Sequence, residues 1–123
     1  MYDAVAERMF SGEAAAVDAK HLAKITDLSV GLESSTGILR FNSVNGRIEC
    51  ELLTKRENSK IIILGTQNDN LVSLENPVEI LSTNLKGALS IFNNEEILNM
   101  RVSTDGISLQ CANVRVSVLG KNV

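Results

Sequence analysis

Few residues of this 123-residue chain could do chemistry, and their spacing argues against most of it. His21, the single histidine, follows Lys20 at the start of a helix-like segment. A metal centre or a general base would need Cys, His, Asp or Glu partners arranged around it, and no such arrangement is written here. A solvent-facing or partly packed histidine is the plainer expectation. Cys50 and Cys111 lie in strand-like runs without Cys-x-x-Cys spacing, which reads as two reduced thiols acting as small apolar residues. A disulfide between them would require an oxidising compartment, and nothing in the sequence points to secretion. Glu49 and Glu51 alternate with Ile48, Cys50 and Leu52, while Glu95-Glu96 occupies a loop. Both pairs read as solvated carboxylates. There is no G-x-S-x-G or Ser/Lys spacing, and Gly65, Gly87, Gly106 and Gly120 are too isolated to form a phosphate loop. The expectation is a non-catalytic protein with no metal and no cofactor.

Composition narrows the class further. The length suits one domain, 1–123, with one core. An apolar fraction of 44% with three Phe, one Tyr and no Trp makes that core aliphatic. It also leaves little surface on which bases could stack. A net charge of −3 excludes a generally basic nucleic-acid binder but permits a local basic face. The longest apolar run, 61–64, is far too short to span a membrane, and no charged-then-apolar leader opens the chain. A cytoplasmic or virion-associated protein is expected, with no membrane partner.

The elements that would position these residues follow from periodicity. Tyr2, Val5, Ala6, Met9 and Phe10 fall at helical spacing, predicting a short amphipathic helix that ends near Gly12. Residues 13–19 fit either a helix or a short strand centred on Val17. Asp18 is a suitable N-cap for a helix whose apolar side is Leu22, Ile25, Leu28/Ser29 and Leu32. Strands are predicted over 37–44 and 47–54, joined by Asn45-Gly46, a strong hairpin signal. "KIIILG" reads as a strand buried on both faces or at an interface. "LVSLEN" reads as a short strand with Val72 and Leu74 facing one way. Ser82 or Thr83 is placed to cap a helix that presents Leu85, Ala88, Leu89 and Phe92 on one side. Gly87 inside it is unexpected, because helical glycine costs about 1 kcal/mol relative to alanine; close approach of another backbone, or of DNA, would account for it. Strands over 96–104, 106–112 and 114–119 complete a meander.

The same order therefore occurs twice. "ILRFNSVNGRIECELL" and "ILNMRVSTDGISLQCANVRVSV" both open on Ile-Leu, turn at a glycine and leave through a strand carrying a cysteine. Leu22 corresponds to Leu85 and Ile38 to Ile97, with a one-residue slip between the glycine turns that a bulge would absorb. The predicted fold is α+β: two βαβββ units, 13–65 and 66–123, in a mostly antiparallel sheet with two main helices, preceded by the helix of 1–12.

Two βαβββ units in this length resemble one domain of the DNA sliding clamps, the β-clamp and PCNA family. The second unit, "VEILSTNLKGALSIFNNEEILNMRVSTDGISLQCANVRVSVLG", is the more similar. The resemblance implies a DNA replication processivity factor, a platform whose domains join edge to edge into a ring. Its helices would line the hole and hold duplex DNA by diffuse attraction to phosphate, without reading bases. Carried over to this chain, the DNA-facing residues would be Lys20 and Lys24 on the first helix and Lys86 on the second. Asn84 and Ser90 would add neutral hydrogen bonds, while Asp27 opposes the first helix. An ordinary solvated helix face would also account for the three lysines. Clamp chains carry two or three such domains, so a ring built from this chain would be a homo-oligomer of about six copies. Neither a linker between domains nor a client-binding pocket can be placed on the sequence.

A different class fits the same pattern. Small acidic aliphatic chains that join through strand edges also build virions, as tail-tube, connector or cement subunits. There the N-terminal helix would reach a neighbour and the lysines would be silent. A small regulatory or inhibitory binding protein is a third possibility.

Overall fold

Asn45-Gly46 turns the chain as its residue types require. Both residues adopt positive φ, 52° and 76°, the pattern that matches a two-residue turn to the twist of its flanking strands. The hairpin joins β2 (Ser35–Val44) to β3 (Arg47–Thr54). Around it, the computed structural model describes residues 14–31 and 35–123. The expected N-terminal helix and Leu32 lie outside that range. Before the hairpin come β1 (Ala15–Asp18) and α1 (Ala19–Gly31), and after it β4 (Ser59–Leu64). The order then repeats as β5 (Val78–Leu81), α2 (Ser82–Leu89), β6 (Ile97–Ser103), β7 (Gly106–Cys111) and β8 (Val114–Leu119), followed by a short β9 (Lys121–Asn122).

The doubled βαβββ order is thus present, in an α+β fold with two antiparallel sheets. The two units are interlocked. β1 pairs with β6 of the other unit, Val17 opposite Leu98, and β5 pairs with β2, Ile80 opposite Leu39. One sheet therefore runs β1-β6-β7-β8 and the other β4-β3-β2-β5-β9. Alternation sends Leu39, Phe41, Ile48 and Cys50 of one sheet and Leu98, Met100, Ile107 and Leu109 of the other into a common core with Leu22 and Leu85. Cys50 sits there as a small apolar residue. Burial, with a smaller contribution from the neighbouring Glu51 charge, pushes its thiol up to about 12. Both cysteines are free thiols.

The slip between the two glycine turns is visible in the register. Val44 faces Arg47 across Asn45-Gly46, whereas Ser103 faces Gly106 across Thr104-Asp105, so Gly106 opens its strand where Gly46 lies in the turn. A second glycine pair marks the ends of the units. Gly65 follows β4 and Gly120 follows β8. A β-carbon at Gly65 would lie 2.4 Å from the Ala16 carbonyl oxygen, and one at Gly120 would lie 2.6 Å from that of Glu79. Each unit's last strand thus ends hard against its own first strand, at a place where only glycine fits.

Two expectations need correction, those for "LVSLEN" and for the cap of α2, and two open alternatives are narrowed, those for β4 and for Leu28/Ser29. "LVSLEN" forms no strand. Asn42 tethers it instead, accepting from the Leu74 N–H at 3.2 Å and donating to the Leu74 carbonyl at 3.4 Å, while Val72 is 63% exposed. β4 is not buried on both faces: it is the edge of its sheet, with Ile61 58% and Ile63 49% exposed. Leu28 is exposed, because Ser29 takes the buried position at that level of α1. Ser82 does not cap α2, since Leu81 occupies the N-cap position without a side-chain bond and the Ser82 hydroxyl turns inward.

Gly65 has φ +73° as well as no room for a β-carbon. Gly65→Ala should lower the unfolding free energy by about 1–3 kcal/mol, as overpacking of a closed contact does. A wild-type urea midpoint in the variant would show that β4 and β1 do not meet as described.

Candidate nucleic-acid interface

The two helices pack against each other, and a buried polar seam joins them. Ser29 of α1 hydrogen-bonds Ser82 at the start of α2 and approaches Ser35 at 3.3 Å. Thr26 returns its hydroxyl to the Leu22 carbonyl at 2.7 Å. Each buried hydroxyl has its partner, which avoids the desolvation penalty of an orphaned group. With Leu22, Ile25, Ser29 and Leu85, Ala88, Leu89 turned inward, the remaining residues of both helices form a common outer surface.

Asp18 starts α1 as expected, its carboxylate accepting the Lys20 N–H at 3.0 Å. Lys20, His21 and Lys24 are all exposed on the first turns of α1. Asp27 follows on the same side, and Lys86 of α2 reaches it, Nζ to Oδ1 3.5 Å. The structure therefore places the three predicted lysines on adjoining helices but differentiates them: Lys86 is engaged by a carboxylate. Asn84 is exposed at the start of α2. Ser90 spends its hydroxyl on the Gly87 carbonyl at 2.6 Å. Gly87 has no neighbour outside its own helix within 4 Å of where a β-carbon would lie, so nothing within the described structure demands glycine.

Glu95-Glu96 is not merely a solvated pair. Glu96 accepts the Cys111 thiol at 2.6 Å and the Asn93 N–H at 2.7 Å, and its own carbonyl accepts the Ala19 N–H at 3.1 Å. It thereby ties the loop after α2 to β7 and to the first residue of α1. The thiol bond, then the Asn93 bond, holds its carboxyl below the usual glutamate range. The bond to Glu96, followed by burial and the Glu96 charge, raises the Cys111 thiol. Sequence spacing gave no sign of this link, because residues 96 and 111 meet only through the β6–β7 hairpin.

Elsewhere, Arg40 on the outer face of its sheet bridges Glu79 at 2.9 Å and Glu51 at 3.5 Å across three strands. A cleft of about 330 Å³ opens where β8 passes into β9, lined by Ile38, Ile80, Leu81, Asn84, Leu119 and Gly120. Among the described residues no group of three or more His, Cys, Asp or Glu could hold a metal ion, and no helix is long and apolar enough to cross a membrane.

No protein-family model and no curated protein sequence matches the chain. Solved structures do. The DNA polymerase III subunit beta from Pseudomonas aeruginosa matches with a TM-score of 0.63 over 89% of this chain, at 10% identity. The fold is that of a sliding-clamp domain. The DNA polymerase sliding clamp from Pseudomonas aeruginosa, with ligand and without, matches with a TM-score of 0.60 over 87% of this chain at 12% identity. This chain spans about 30% of the length of these clamp chains.

Two outcomes follow from the helix surface and its supporting link. Gly87→Ala has open space and should stabilise the protein by about 0.5–1 kcal/mol in thermal or urea unfolding; a loss of stability would reveal a contact at Gly87. Glu96 has a depressed folded value, so its contribution to stability is present above the unfolded value of about 4.3 and is lost as pH falls through the folded one. The gap in urea midpoint between wild type and Glu96→Gln should accordingly be full at neutral pH and close on acidification. A gap independent of pH would remove the charge from the explanation.

Proposed function

We propose that this chain is a non-catalytic, ring-forming DNA sliding-clamp-like subunit, a processivity platform that encircles duplex DNA without reading its sequence. The observation carrying this reading is the paired-helix surface with Lys20 and Lys24 exposed on a clamp fold, in a chain whose overall charge is −3. Local cations on an acidic body attract phosphate at one face and discourage it elsewhere. Two sheet edges that are open among the described residues would supply the means of assembly. β4 carries exposed Ile61 and Ile63, and β8, the edge of the other sheet, carries exposed Val114 and Leu119. Joining copies through these edges would give a homo-oligomer of about six if the ring matches the domain count of the clamps.

The test combines imaging with DNA retention. Negative-stain images of the purified protein should show discrete closed rings, and the protein should stay on circular plasmid and leave it once the plasmid is linearised. The Lys20→Glu, Lys24→Glu double variant should form the same rings and lose most of that retention. Equal retention by the variant would remove the lysines from the DNA-facing role. Stacked tubes, sheets or monomers would overturn the ring itself and favour the virion-assembly or small-partner reading.

A further inference from the structure

The lysines of the helix surface are not equivalent. Lys86 is the one cation of α2, and its ammonium lies 3.5 Å from Asp27, with the two side chains 60% and 63% exposed. Asp27 stands one helical turn beyond Lys24 and two beyond Lys20, so the carboxylate shares their side of α1. Lys20 and Lys24 make no ion pair with a carboxylate among the described residues. Beside the Asp27–Lys86 pair a shallow cleft of about 200 Å³ runs between the helices, lined by Ala23, Thr26, Leu89 and Ser90. Asn94 completes the lining, which carries no charge apart from the pair itself.

We propose that Asp27 is a built-in competitor for DNA: it holds Lys86 in the free protein, and a backbone phosphate entering the cleft must take its place. The inference rests on the nucleic-acid reading of this surface and adds a device to it. An exposed pair of this geometry is weak and exchanges readily. Lys86 then always has an anionic partner, Asp27 or phosphate, and passes between them without being left bare. The hold on any one phosphate is weakened by the same amount, which suits a protein that must move along the duplex.

The experiment measures binding of a short mixed-sequence DNA duplex by fluorescence anisotropy across a NaCl series, using the intact chain. Removing the competitor in Asp27→Asn frees Lys86 for phosphate. Affinity at a fixed salt concentration should rise by about two- to five-fold, the worth of an exposed ion pair that phosphate no longer has to displace. In the Asp27→Asn, Lys86→Gln double variant that gain should vanish, and Asp27→Glu should behave as wild type. An unchanged affinity in Asp27→Asn overturns the inference. So does a gain that survives in the double variant, since the effect would then be general relief of repulsion. The Lys20→Glu, Lys24→Glu variant separates the two levels: wild-type binding by it overturns the nucleic-acid reading of the surface, whatever Asp27 does. Absence of binding by every variant overturns both.

Discussion

The exchange of first strands between the two units is the constraint on which the rest of the structure depends. Neither unit can complete its sheet alone, because β1 closes the sheet of the second and β5 that of the first. Each helix must therefore begin directly where its exchanged strand ends, Asp18 to Ala19 in one unit and Leu81 to Ser82 in the other. This fixes both helix starts relative to both sheets and brings the helices side by side. The Ser29–Ser82 bond lies on that seam, with Ser35 beside it. Polar groups are tolerated there because they satisfy one another. The same exchange explains Gly65 and Gly120, where the chain leaving each unit's last strand crosses its first at a distance no side chain permits.

Much of this was legible in the sequence, for reasons that particular residues show. Asn45-Gly46 specified its turn chemically, and the alternation of Leu98, Met100 and Val102 specified a strand and its inward face. Leu22, Ile25, Leu85 and Ala88 likewise marked the helices. What the sequence concealed were relations between distant positions. An isoleucine run such as Ile61–Ile63 is compatible with a central strand or a sheet edge, and only the pairing partners distinguish them. Ser82 had the residue type of a cap, yet its hydroxyl found a buried partner 53 positions away, which no local pattern encodes. The candidate surface was half legible: the positions of Lys20, Lys24 and Lys86 followed from helical spacing, while the engagement of Lys86 by Asp27 depended on how two helices cross.

The sheet edges complete the physical picture. β1's outer side is met by the Thr66 N–H, which donates to the Ala16 carbonyl at 3.0 Å, and β5 is covered by β9. Among the described residues β4 and β8 are left as long edges, and they belong to different sheets. Exposed apolar side chains on an unpaired strand are a hazard unless a partner covers them. Pairing one copy's β4 with the next copy's β8 would satisfy both edges at once. Such a contact is head-to-tail by construction, so it closes into a ring only if the rotation per subunit divides a full turn, and otherwise grows as a filament. The angle between β4 and β8, set by the twist of the two sheets, would decide between ring and filament in such a contact.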